Sequence, residues 1–245
     1  MENTIQALKH ILKNSNYTVA LCGSGMTAES GFIGIKKPER AYEIEQEYGA
    51  SPEELFSSAF YNTRTEQFYR FYKKAILSRI PEPGVSSHTL AAMEKAGHLH
   101  CIITSNIFEQ EQRGGCEHVI NLHGTVFENN CPRCRRSYQI EDILNAPHVP
   151  RCESCGAVIR PGVSLFGEMV DSRVMTRTTE EIERADVLLV LGSTLKSEVF
   201  SHYIRYFKGS SLVVIHANEH YSDTAADITI IDKPGNVLSV LGYTD

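Results

Sequence analysis

The sequence predicts an α/β fold: a doubly wound parallel-sheet (Rossmann-like) domain carrying a small inserted lobe. Three observations carry this expectation. Six short, almost continuously apolar runs alternate with helical stretches, the pattern of strands covered on both faces. Turns containing Gly, Ser, Thr or Asn follow several of those runs directly, where a doubly wound sheet presents its ligand-contacting groups. Two stretches break the alternation, residues 37–80, helical and rich in Tyr and Phe, and residues 125–160, which hold four of the seven cysteines.

In chain order, residues 3–14 place Ile5, Leu8, Ile11 and Leu12 at helical spacing among polar residues, so they form a docked helix. They lack the basic start, long apolar run and cleavage site of a signal peptide. Strands are expected at 17–22, 99–104, 118–122, 186–192, 212–217 and 227–231, with further helices at 86–96, 172–184, 196–207 and 235–241. Such alternation implies right-handed crossovers and one parallel sheet. The expected organisation is a single domain over 1–245. A large lobe takes approximately 1–36, 81–124 and 161–245, and a small lobe takes the insertions 37–80 and 125–160.

With 42% hydrophobic and 22% charged residues and no Pro/Gly/Ser tract, the chain is expected to be compact and not disordered. The most apolar run, Val187 to Gly192, is far too short for a bilayer, so a soluble protein is expected. A formal net charge of −6 gives no general pull toward nucleic acid or anionic membrane. Arg133, Arg135 and Arg136 form the only notable basic patch. Seven cysteines, four of them in two C-x-x-C pairs, argue for metal binding in a reducing cytoplasm over disulfides. Cys22 and Cys101 sit in apolar runs and read as buried small hydrophobes.

Cys131-Pro-Arg-Cys134 is followed after seventeen residues by Cys152-Glu-Ser-Cys155, the spacing of two zinc knuckles closing one tetrahedral site. Four thiolates leave no open position for water. The predicted role of Cys131, Cys134, Cys152 and Cys155 is therefore one structural zinc that holds the inserted zinc-binding and helical lobe. His123, in Asn-Leu-His-Gly just ahead of the first pair, is surplus to that metal. On residue type alone it is either a satisfied core histidine or a base.

Gly23-Ser24-Gly25 follows a buried strand, with a helix expected to start at Thr27. Such glycines let backbone approach a pyrophosphate, and helix N-terminal amides favour the anion. A lone G-x-G also suits a tight turn without a ligand, and the third glycine and acidic residue of the dinucleotide fingerprint are not evident. Thr104-Ser105-Asn106 and Gly192-Ser193-Thr194 occupy equivalent places after other strands. Each alone also reads as helix-capping chemistry.

The ordered set GSGMTAESG, TSN, NLHG, the paired C-x-x-C motifs, IRPGVSLFGE, LGSTL and VIHANEHYSDTAADI resembles the sirtuin family, with matches from about residue 17 to the C-terminus. The resemblance implies an NAD-dependent protein lysine deacylase that transfers the acyl group to ADP-ribose and releases nicotinamide. It implies NAD as co-substrate, met by Gly23, Ser24, Gly25, Thr27, Ser105, Asn106, Gly192, Ser193, Thr194 and His216. Asn106 would bind the nicotinamide ribose and His123, in a cleft between lobes, would be the general base. Val163, Leu165, Phe166, Gly167 and Glu168 are similar to the strand that receives the acyl-lysine peptide by β-addition. Tyr72 falls on the aromatic helix that such enzymes use against the acyl chain, with Ala75 and no arginine three residues on; neutral acyl groups are expected over succinyl. The implied partner is an acylated lysine-bearing protein in the cytoplasm, with no membrane and no direct nucleic-acid binding.

The chain departs from the family pattern at several places. Ile33, Gly34, Ile35 and Lys36 stand where Pro-Asp-Phe-Arg is usual. Ser105 and Phe108 replace the usual Gln and Asp, so the nicotinamide pocket must differ, with Glu109 and Glu111 as carboxylates on the same loop. His216 stands where an adenosine-ribose Asn is usual, and Asn218 where an acidic residue is common. Two alternatives therefore stay open: ADP-ribosyl transfer or NAD hydrolysis, and a non-catalytic NAD or ADP-ribose regulator.

Overall fold

The computed structural model describes residues 2–243. The chain forms two compact units: Met1–Gly31, Pro81–Leu122 and Asp171–Asp245 make the first, Phe32–Ile80 and His123–Val170 the second. The strands are β1 (Thr18–Cys22), β2 (Cys101–Thr104), β3 (Val119–Asn121), β4 (Asn129–Asn130), β5 (Ser137–Tyr138), β6 (Val187–Leu191), β7 (Ser211–His216) and β8 (Ile228–Ile231). Helices α1 (Glu2–Asn14) and α2 (Ser24–Glu29) precede α3 (Pro38–Tyr48), α4 (Pro52–Leu55), α5 (Ser58–Thr63) and α6 (Thr65–Phe71). After them come α7 (Val85–Lys95), α8 (Gln110–Arg113), α9 (Ile140–Asn145), α10 (Ser172–Arg184), α11 (Ser201–Ile204) and α12 (Pro234–Ser239).

The first unit holds a six-stranded parallel sheet in the order β3-β2-β1-β6-β7-β8. Its strands are apolar on both faces, and the side chains alternate between two cores. Ala20 and Cys22 of β1 join Leu8, Leu12, Leu90, Met93 and Leu238 on one face. Val19 and Leu21 join Ile103, Ile182, Val190 and Phe200 on the other. The strand order reverses between β1 and β6, and this switch point is where an open α/β sheet leaves a crevice at its carboxyl ends.

The six predicted sheet strands are all present, five trimmed by a residue or two and the one expected at 212–217 shifted by one to Ser211–His216. Two helical expectations require correction. The helix after β1 starts at Ser24, not Thr27, because Gly23 takes the extended N-cap conformation and the Ser24-Gly25 pair already forms the first turn. The stretch 196–207 is helical only over Ser201–Ile204. Tyr206 and Phe207 amides donate to the carbonyls three residues back, Tyr203 and Ile204, which tightens the chain out of the α-helix.

In the second unit, α3 to α6 run into a π-helical turn at Tyr72–Ile76 and gather Phe56, Phe60, Phe68, Tyr69, Phe71 and Tyr72 into an aromatic core. Ser51 and Ser57 cap α4 and α5 through their hydroxyls, which stops these short helices from leaving their first amides unpaired. The residues 163–168 do not form a regular strand. Val163 bridges Gly124, Phe166 bridges Ser57, and the chain turns at Gly167 and Glu168 with Glu168 N donating to the Leu165 carbonyl.

The His123-Gly124 step is pinned by that pairing: Ser164 N donates to the His123 carbonyl at 2.8 Å, and Thr125 N to the Gly162 carbonyl at 3.2 Å. Gly124 has φ +68°, and a Cβ there would lie 2.0 Å from the Gly162 carbonyl oxygen. Both the backbone conformation and the space demand glycine. Gly124→Ala should therefore lower stability by about 2 kcal/mol or more, read as a shifted denaturation midpoint. An unchanged midpoint would show that the two backbone segments separate at little cost.

Candidate functional site

In the first unit the carboxyl ends of β1 and β6 carry two turns that touch backbone to backbone. Gly23 N donates to the Leu191 carbonyl and Gly25 N to the Gly192 carbonyl, both at 2.9 Å. A Cβ on Gly25 would sit 2.6 Å from Gly192 Cα, and one on Gly23 would sit 2.6 Å from Ser193 Cβ. Neither position tolerates a side chain. The result is a strip of backbone with no Cβ at its glycines, opening a helix at the sheet's switch point, which suits close approach by a diphosphate. The α2 helix is short, so the paired turns are the informative feature, not the helix.

Asn106 is brought to this strip. It is buried, its Nδ2 donates to the Gly23 carbonyl at 3.1 Å, and its Oδ1 lies 3.4 Å from the Thr27 hydroxyl. Thr27 also donates to the Ser24 carbonyl, and the Thr104 hydroxyl accepts from Asn106 N at 3.2 Å. Ser105 turns back on β1, with both its amide and its hydroxyl donating to the Cys22 carbonyl. Thr194 closes the turn after β6 by accepting from Ser197 N. His216 ends β7, two strands from β1, with Nε2 3.0 Å from Asp223 Oδ2. Asp223, which also accepts from His220 N, was not singled out in the sequence. Its signal there is weak, a lone Asp in a loop. Phe108 is buried, as is Glu111, so Glu111 cannot swing out to replace a pocket carboxylate without opening α8.

In the second unit His123 is half-buried. Desolvation holds its pKa below the ordinary 6.5, so the imidazole is neutral at pH 7 and has a lone pair to accept a proton. Of the stretch 163–168, Val163 and Leu165 are buried and Phe166 is 38% exposed. Phe166 N donates to the Phe56 carbonyl, and Ser58 N donates back to the Phe166 carbonyl, both at 3.0 Å. The Lys36 ammonium lies 4.7 Å from the Phe166 ring centroid, a cation–π contact. Glu168 is held by both guanidinium contacts of Arg160 Nη2 at 2.7 Å and by Leu165 N at 2.8 Å. It is a brace for this loop, and Arg160 is its unforeseen partner.

Tyr72 is fully buried, stacked against Phe68 and Phe56 at 5.5 and 6.1 Å, and its hydroxyl has no hydrogen-bond partner. Several cations lie around the aromatic core; Arg64 and Arg70 sit over the Phe60 and Tyr48 rings, and three others are tied down by hydrogen bonds or ion pairs. Lys73 donates to the carbonyls of Ala146 and His148, Lys74 pairs with Glu47 at 2.6 Å, and Arg160 pairs with Glu168.

All seven cysteines are unbridged. The sulfurs of Cys131, Cys134, Cys152 and Cys155 lie within 4.8 Å of one another, with Cys131–Cys155 at 3.4 Å and Cys134–Cys152 at 3.5 Å. A tetrahedral zinc with bonds of about 2.3 Å sets its sulfurs about 3.8 Å apart, so the cluster fits one zinc. The two knuckles repeat one backbone design. Cys131 N donates to the Arg136 carbonyl and Cys152 N to the Ala157 carbonyl, while Arg135 and Gly156, each four residues after its first cysteine, have φ +62° and +71°. His123 belongs to no such cluster among the described residues. Zinc here supplies folding energy and no open coordination site. Cys131→Ala, or chelation, should release one zinc per chain and unfold the second unit. His123→Ala should keep full zinc content and a native melting profile. Zinc loss in the His123 variant would mean that the histidine was misassigned.

Comparison with known proteins places the chain in a family. The model of the Sir2 family matches residues 23–199. An NAD-dependent protein deacetylase of Clostridium tetani is 34% identical, over 98% of this chain and 100% of its own length. One of Staphylococcus aureus is 32% identical, over 98% and 99%. Among solved structures, a Sir2 complex with a p53 peptide and NAD+ matches with TM-score 0.83 and 28% identity, covering 97% of this chain and 96% of that one. A structure from work on sirtuin substrate affinity matches with TM-score 0.87 and 29% identity, covering 97% of both chains. No helix among the described residues is long and apolar enough to cross a membrane. The chain belongs to the Sir2 family, the sirtuins.

Proposed function

We propose that this chain is an NAD-dependent protein lysine deacetylase that works on acylated proteins in the cytoplasm, moving the acyl group to ADP-ribose as nicotinamide leaves. The observation that carries the reading is the Asn106 side chain held on the Gly23–Gly25 strip by the Gly23 carbonyl, in a chain whose relatives are named NAD-dependent protein deacetylases. The diphosphate lies on the Gly23-Ser24-Gly25 and Gly192-Ser193-Thr194 turns, with Thr27 and Ser105 shaping them. Asn106 holds the nicotinamide ribose. His216, oriented by Asp223, takes the adenosine ribose.

The acyl oxygen displaces nicotinamide at the ribose carbon to give an imidate, and a ribose hydroxyl attacks the imidate carbon. Water then adds as the bond to the lysine nitrogen breaks, which frees the amine and leaves the acyl group on ADP-ribose. His123 takes the proton of the attacking ribose hydroxyl. Its desolvated, neutral imidazole is in the accepting form for this step. The peptide adds alongside residues 163–166 by main-chain hydrogen bonds, which give affinity without strict sequence choice. Zinc stays outside the chemistry. The net charge of −6 favours no nucleic-acid partner.

Tyr72 lines the acyl subsite. With Lys73, Lys74 and Arg160 all engaged elsewhere, a carboxylate-bearing acyl chain would be desolvated beside Tyr72 at a cost that none of these three relieves. Incubation with NAD and an acetyl-lysine peptide should yield O-acetyl-ADP-ribose by mass, and a succinyl-lysine peptide should give a kcat/KM at least about tenfold lower. ADP-ribose or a modified protein as the main product would favour the ADP-ribosyl alternative. Unchanged NAD would overturn the reading.

A further inference from the structure

Glu111 lies on α8, five residues after Asn106, and is 0% exposed. Both of its carboxylate oxygens are buried without a hydrogen-bond partner. The side chains that face it are the Asn106 amide, the Thr104 hydroxyl and the Cys22 thiol, all of them hydrogen-bond donors. Around this cluster the titratable groups are Cys22 on β1, Cys116 just after α8, Glu29 on α2 and Glu94 on α7. Burial raises the Glu111 pKa from the ordinary carboxylate range. A glutamine would fill the same space without that penalty, so the carboxyl is a local cost to the fold. Such departures from what packing favours concentrate at functional positions.

We infer that Glu111 is a positioning residue for Asn106, whose carboxyl orients the side-chain amide that holds the nicotinamide ribose. The inference rests on the proposed NAD reaction, because Asn106 meets the ribose only there. One Nδ2 hydrogen of Asn106 goes to the Gly23 carbonyl. Ionised Glu111 is an acceptor for the second, which fixes the amide with Oδ1 as its acceptor side toward a ribose hydroxyl. Neutral Glu111 carries an O–H that competes for the same Oδ1 and loosens this orientation. The ionised form is the active one, and NAD use gains as Glu111 loses its proton. Thr104, whose hydroxyl accepts from Asn106 N at 3.2 Å, faces the same carboxyl.

The test compares the wild type with Glu111→Gln in three readings on the zinc-loaded full chain. First, kcat/KM for NAD, with saturating acetyl peptide, should fall about tenfold in the variant at about pH 8, while KM for the peptide stays unchanged. Second, the ratio of wild-type to variant kcat/KM should approach one at acidic pH and widen as pH rises, since neutral Glu and Gln are near-isosteres. Taking the ratio cancels the titration of His123, which both proteins share. Third, the melting temperature should move the opposite way. A native carboxyl with a raised pKa binds more protons than the unfolded chain, so wild-type stability drops as pH rises through that value. Glu111→Gln escapes this loss, and its advantage should open in the same pH range. A residue with only a structural role would instead lose stability and activity together. An active wild type whose NAD kinetics and pH profile match those of Glu111→Gln would overturn the inference alone. A wild type that leaves NAD unchanged would overturn the proposed reaction and this inference with it.

Discussion

The first unit depends on one close approach: the backbone of Gly25 against the backbone of Gly192, so near that a single methyl group on either would collide with the other chain segment. The parallel registers of β1 with β6 bring the two turns to the same height, and the amides of Gly23 and Gly25 close the gap by bonding to the carbonyls of Leu191 and Gly192. Everything that the proposed reaction asks of this unit hangs on that contact. It leaves backbone in place of side chains at the switch point, and it presents the Gly23 carbonyl to which Asn106 is tied. Because strands buried on both faces cannot shift register without burying wrong groups, the turns inherit the rigidity of the sheet.

The second unit solves a different problem. Its β4–β5 ribbon pairs only two residues from each strand, too little for independent stability, and four cysteines take the place of a larger core. The paired knuckles close all four positions of a tetrahedral metal, which separates holding the fold from doing chemistry. His123 stands on a segment fixed by main-chain pairing to residues 162–164 and owes its basic form to desolvation, not to the metal. The Glu168–Arg160 pair works in the same direction, bracing the 163–168 loop from within.

The sheet was legible in the sequence because its strands are uninterrupted apolar runs, and the metal centre because C-x-x-C spacing has few other physical uses in a chain without disulfides. The glycine turns were legible as turns, and the family resemblance added the chemistry they serve. Less was legible where tertiary context decides. Residues 196–207 have helical spacing, but Tyr206 and Phe207 turn out of the helix. Residues 163–168 read as a strand, yet Gly167 and the Glu168 brace break it into single bridges. Glu111 looks like one more solvated acid among Glu109, Gln110, Gln112 and Arg113; only the packing of α8 shows it to be enclosed beside Asn106. Asp223 likewise shows its pairing with His216 only after β7 and the following turn are folded.

The central claim is that NAD lies on the paired turns at the ends of β1 and β6. Hydrogen exchange of the wild-type protein, followed by mass spectrometry with and without saturating ADP-ribose, tests it most directly. The account predicts added protection at residues 23–27 and 192–194, with the cysteine knuckles unchanged. Binding of ADP-ribose that leaves both turns unprotected, or that protects only the second unit, would contradict it.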